Sequence, residues 1–144
     1  MFKPTPNQLP ADRTRRAQSR LGVAAAELAV CLPVIVLLVL ATIEACSMVF
    51  LKQTLSIAAY EGVRTAISTG ATADDVEQVC DQVLLDRGVN GGTVSIVPNN
   101  VAGLTLGDLV DVTVSAPCDG NMVLPNMFYR DRTLSATASM MTEL

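Results

Sequence analysis

The amino-acid sequence predicts an α+β protein carried on one long N-terminal helix, and three patterns predict it. An apolar run from Leu28 to Leu51 holds twenty-four residues with Glu44 as its one charge. Further on, Val76, Val79, Cys80, Val83 and Leu84 recur at helical spacing, and three later segments alternate apolar and polar residues with the period of a strand that buries one face.

Composition bounds what such a chain can do. Its 144 residues, half of them apolar, leave room for one modest domain beside a membrane segment, which excludes a multidomain enzyme. With no His, no Trp, three Phe and two Tyr, the commonest general base is missing and stacking platforms for nucleic-acid bases are scarce. Neither catalysis nor nucleic-acid binding is expected.

Charge is divided between the ends. Before Gly22 stand Lys3, Arg13, Arg15, Arg16 and Arg20 against Asp12 alone, and the rest of the chain holds five basic and thirteen acidic residues. Residues 1–22 therefore read as a basic cytoplasmic leader. The segment 23–51 reads as a transmembrane helix, since its twenty-four-residue apolar run extends about 36 Å at about 1.5 Å per residue, against a hydrocarbon core of about 30 Å. Positive charge on the inner flank sets the N-terminus in the cytoplasm and everything after Leu51 outside.

Two residues in the run need comment. Pro33 would cost a helix in water about 3 kcal/mol, but in a bundle neighbouring groups can satisfy the freed carbonyl. Glu44, near the outer end, can snorkel toward the headgroups, and a structural and a functional reading of it both stand.

Other leader types fit the sequence less well. Val39 and Ala41 fit the small-residue rule for a secretory cut after Ala41, although apolar residues continue through Leu51. Ile43, Glu44, Ala45 and Cys46 resemble a lipoprotein box weakened by its acidic residue, and Arg15 and Arg16 form a pair without the apolar residues that should follow a twin-arginine signal.

Gly22 followed by Val23, Ala24, Ala25, Ala26 and Glu27 is the sharpest local feature. A small residue ends a basic leader, and a carboxylate follows five positions later at the head of the apolar helix, as in type IV prepilins. Such a carboxylate costs about 2.5–3.5 kcal/mol at a helix centre, less near an interface, and invites a partner. Cutting after Gly22 would supply one in the cationic α-amino group of Val23 on a neighbouring subunit. Ala24, Ala25, Ala26 and Ala29 leave a narrow surface that lets helices approach closely in lipid. A plainer reading also stands: Glu27 at the cytoplasmic interface, with alanines as ordinary helix formers.

The stretch from Arg15 to Arg64 resembles the N-terminal region of TadE-like proteins, membrane components of tight-adherence pilus systems. The resemblance lies in the order of its parts. These are the Arg-rich leader, the small residues and Glu27, Pro33 early in the helix, an acidic residue near its end, and Ala58-Ala59-Tyr60-Glu61-Gly62-Val63-Arg64. The terminal TLSATASMMTEL also resembles that family's ending.

The resemblance implies a minor pilin or pseudopilin acting in pilus assembly and adhesion, cut between Gly22 and Val23 by a prepilin peptidase. It implies a single-pass protein of the bacterial inner membrane with other pilin or pilus-assembly subunits as partners. Leu28 departs from the family, which commonly has an aromatic after the Glu.

Beyond Leu51, Leu55, Ala58, Ala59 and Ala66 keep helical spacing, so residues 52–70 read as a helical stalk continuing the membrane helix. Residues 71–144 read as an extracytoplasmic α+β domain. Its helix spans about Asp74 to Arg87, with Thr72 as N-cap, acidic residues in the first turn and Gly88 as the stop. Strands are expected around Val94 and Ile96, over Val110–Val114 and over Leu134–Met140. They form a small three-stranded antiparallel sheet whose apolar face the stripe from Val76 to Leu84 can cover.

Cys31 and Cys46 fall in the apolar run and read as small packing residues. Cys80 and Cys118 lie in the outer domain, where a disulfide between them and simple burial of Cys80 both fit. There is no zinc spacing, phosphate loop or nucleophile elbow, and Asp119-Gly120-Asn121 makes a turn rather than a calcium loop. No metal or cofactor is expected. A second functional class stays open beside the pilus subunit: an uncleaved, signal-anchored outer domain with a binding or structural role in the cell envelope.

Overall fold

Helix-compatible sequence continues without a break from the leader through the apolar run, and the chain forms one long helix accordingly. The computed structural model describes residues 11–122 and 131–143, with side chains from residue 22 onward. Its elements are α1 (Ala11–Ala66), α2 (Ala73–Asp86), β1 (Thr93–Val97), a 3-10 turn (Val101–Gly103), β2 (Leu109–Pro117) and β3 (Thr133–Met141). Of the basic leader expected over residues 1–22, positions 1–10 lie outside the described residues.

The chain divides into two compact units between Leu40 and Ala41. In the first, every side chain from Gly22 to Val39 is exposed, and Pro33 sits inside the helix without ending it. Among the described residues, Gly22–Ala66 is the one stretch long and apolar enough to cross a membrane.

The second unit starts with α1 residues that change character. From Ala41 onward one face of the helix is buried, including Glu44, Leu51, Leu55, Ala58, Gly62 and Ala66, at steps of three, four and seven residues. Such steps keep side chains on one stripe. The stretch read from the sequence as the end of the span and a stalk is thus the central helix of this unit's core. Leu55, Ala58, Ala59 and Val63 are fully buried, and a leucine so placed contributes about 1.5–3 kcal/mol.

Thr72 caps α2 through a reciprocal box. Its Oγ1 accepts from the Asp75 amide at 3.3 Å, while an Asp75 carboxylate oxygen accepts from the Thr72 amide at 2.9 Å. Two of the helix's orphan donors are satisfied in this way. Val76, Cys80 and Leu84 form its buried stripe, and Gly88 ends it in the left-handed region at φ 66°, where a side chain would be strained.

The sheet is an antiparallel meander in the order β1-β2-β3. Val112 faces Ile96 and Ala138, and Val114 faces Val94 and Ala136. Val110, Val112, Val114 and Ala116 are buried. The opposite face carries hydroxyl pairs, Thr113 with Thr137 at 2.8 Å and Thr93 with Ser115 at 2.9 Å.

Both helices cover the apolar face. A Cβ placed on Gly62 of α1 would lie 2.5 Å from Cys80 Sγ of α2 and 3.1 Å from Val112 Cγ1 of β2, so the three elements meet at a residue with no side chain. The sequence had assigned this cover to α2 alone. Loops close the unit: Asn121 exchanges hydrogen bonds with the Asn90 backbone at 2.7 and 2.8 Å, and the Thr142 amide donates to the Asp108 carbonyl at 2.9 Å.

Candidate functional site

The candidate site is the head of the apolar helix. Gly22, Val23, Ala24, Ala25, Ala26, Glu27 and Ala29 all lie within α1 and are exposed. Val23 is 60% exposed, and a Cβ on Gly22 would meet nothing within 4 Å. Val23 and Glu27, four apart in a helix, sit one turn apart on one face. Pro33 lacks an amide hydrogen, so the Ala29 carbonyl four residues earlier has no helical donor.

Chemically this segment offers a carboxylate and an under-bonded carbonyl on a surface of small and apolar side chains. In lipid both polar groups gain from a neighbouring helix that brings donors, and the alanines let that helix come close. Nothing in this set is a nucleophile beside a base, and among the described residues no three His, Cys, Asp or Glu side chains group as metal ligands.

Two expectations about other residues change. Cys80 and Cys118 are both buried free thiols rather than a disulfide. Cys80 Sγ packs at Gly62 and Val112 and donates to the Ala58 carbonyl at 3.4 Å. Cys118 lies six residues beyond Val112, just past the end of β2. At about 3.3 Å per strand residue that is about 20 Å, and a disulfide needs its Cα atoms within about 7 Å. Burial pushes the Cys80 thiol up to about 11, helped by Asp81 and Glu77. Burial likewise raises Cys118, with a smaller push from Asp119.

Glu44 does not snorkel. Only 4% of it is exposed, inside the second unit. The signal that could have located it is the seven-residue step Glu44, Leu51, Ala58, which sets the acid on the same stripe as the core leucine and alanine.

Ala58, Ala59 and Gly62 acquire a physical reading. The two alanines are fully buried, and at Gly62 side chains of α2 and β2 occupy the space that a Cβ would need. Small residues there let the three elements meet.

The family model for TadE-like proteins matches residues 22–64. It starts at Gly22 and ends at Arg64, covering the apolar helix and the small-residue stretch around Gly62. No match was found among curated proteins or among solved structures.

Proposed function

We propose that this protein is a TadE-like minor pilin or pseudopilin, a non-catalytic subunit anchored in the bacterial inner membrane and acting in assembly of a tight-adherence pilus. The observation that carries this reading is the family match over residues 22–64, whose first residues are the Gly22-Val23 junction and Glu27.

In this account residues 1–22 are a cytoplasmic leader removed by a prepilin peptidase, and the outer α+β unit lies on the far side of the membrane. The charge division supports that orientation: the leader is basic and the remainder acidic. Glu27 then meets the new α-amino group of Val23 on a neighbouring subunit. A charge pair in lipid is favourable only when close and well bonded, which is how it would set the stacking register of parallel helices. Ala24, Ala25, Ala26 and Ala29 provide the close approach, and the carbonyl freed by Pro33 provides a further acceptor.

Glu27→Ala tests the reading. The variant should insert into the membrane at the normal level while pilus assembly is lost. Normal assembly with Glu27→Ala would favour the uncleaved, signal-anchored envelope domain instead, since such a domain has no use for a carboxylate at the head of its anchor.

A further inference from the structure

The second unit carries an open groove of about 490 Å³ that the assembly reading leaves unused. One wall is α1, with Thr42, Ile43, Cys46 and Phe50, and the other holds Arg87 and Val89 from the end of α2 and the loop after it. Phe50 is 67% exposed. An aromatic left open beside other apolar side chains marks a contact surface rather than a solvated one.

Charge narrows the occupant. Arg87 is the one charged residue in the groove's described lining, and Glu44, the acid nearest in sequence on α1, is buried. An apolar trough ended by a single cation suits an amphiphile with an anionic head.

Position narrows it further. Counted outward from Glu27 at the inner boundary, a hydrocarbon core of about 30 Å takes about twenty helical residues, Leu28 to Ser47. Thr42, Ile43 and Cys46 then fall at the outer edge of the hydrocarbon and Phe50 within one turn of it, at the boundary with the headgroups, where amphipathic contacts concentrate.

We propose that the groove seats an anionic phospholipid of the outer leaflet, with an acyl chain along Ile43, Cys46, Phe50 and Val89 and the phosphate against Arg87. This rests on the reading of α1 as a membrane span. Binding there would fix how far the helix is drawn out of the bilayer.

The chain has no Trp, so single-tryptophan variants of the full chain report each position separately. Leu37→Trp, Phe50→Trp and Leu106→Trp are reconstituted in vesicles of phosphatidylethanolamine with a minor fraction of phosphatidylglycerol, with bromines on the acyl chains of one lipid or the other. Leu37→Trp should be quenched by both lipids and Leu106→Trp by neither. Phe50→Trp should be quenched by brominated phosphatidylglycerol with about a fivefold preference per lipid, the bias that one basic residue near an anionic surface supplies. Adding Arg87→Gln should abolish that preference.

An unquenched Phe50→Trp beside a quenched Leu37→Trp would overturn the lipid site and leave the anchor standing. Equal quenching by the two lipids, unchanged by Arg87→Gln, would overturn the anionic assignment. Loss of quenching as protein is concentrated, with Cys46 crosslinking between copies, would give the groove to a second copy. An unquenched Leu37→Trp would overturn the span and the lipid site together.

Discussion

Gly62 is where the packing of the second unit can be tested most sharply. In Gly62→Ala the new methyl would stand 2.5 Å from Cys80 Sγ and 3.1 Å from Val112 Cγ1. Unstrained contacts are about 3.5–4.0 Å, so α1 and α2 must separate by about 1 Å or Cys80 must leave its rotamer. Overpacking of this kind costs about 1–3 kcal/mol, against which alanine's better helix propensity returns about 1 kcal/mol. The net expectation is a loss of up to about 2 kcal/mol.

Removing the sulfur should reverse the sign. Cys80→Ala alone leaves a small void and costs about 1 kcal/mol. In that background Gly62→Ala fills the space and should be neutral or stabilising, giving a coupling of about 1–3 kcal/mol. The readout is urea unfolding of the full chain in detergent, followed by pulse alkylation of Cys118, a buried thiol present in every variant. The same loss from Gly62→Ala in both backgrounds would refute the claim that α1 meets α2 through these two residues, and so would no loss in either.

Four further outcomes are expected. Thr72→Ala should lower stability by about 1 kcal/mol by opening the cap of α2, and a urea midpoint measures it. Thr72 and Thr105 hydrogen bonds hold the Asp75 and Asp108 carboxyls below their ordinary 3.8. A depressed folded value adds stability above the unfolded value that disappears as pH falls through the folded one, so the urea midpoint should fall on acidification below about pH 4, and less steeply in Thr72→Ala. Without reduction, mass analysis after alkylation should find Cys80 and Cys118 unreactive in the folded protein and both free on unfolding; a bridged pair would stay unlabelled throughout. Asp111 buries Oδ1 with no hydrogen-bond partner among the described residues, so Asp111→Thr should raise the midpoint by the equivalent of about 1 kcal/mol, and an unchanged or lowered midpoint would contradict that.

The second unit was legible wherever one local rule sufficed. Thr72, the stripe Val76-Cys80-Leu84 and Gly88 marked α2 almost to the residue, and alternation located all three strands because one face of each meets water. Strand order was not legible, since pairing is a long-range choice. Neither was the double use of the apolar run: Leu37 and Leu51 are equally apolar, yet one is exposed and the other buried, and hydropathy does not separate an exposed apolar residue of a helix from a core residue. Cys80 and Cys118 misled for a related reason, because redox compartment and residue count carry no distance. At the candidate site the order of Gly22, Val23 and Glu27 was visible from the start, and the fold adds only that they stand exposed on one unbroken helix.

Processing as a pilin at that helix is what the proposed function stands on. The mature N-terminus of the full-length protein, produced together with a prepilin peptidase, tests it most directly. A processed pilin begins at Val23, and only with an active peptidase; a chain still beginning near Met1, or one beginning at Thr42, would rule that processing out.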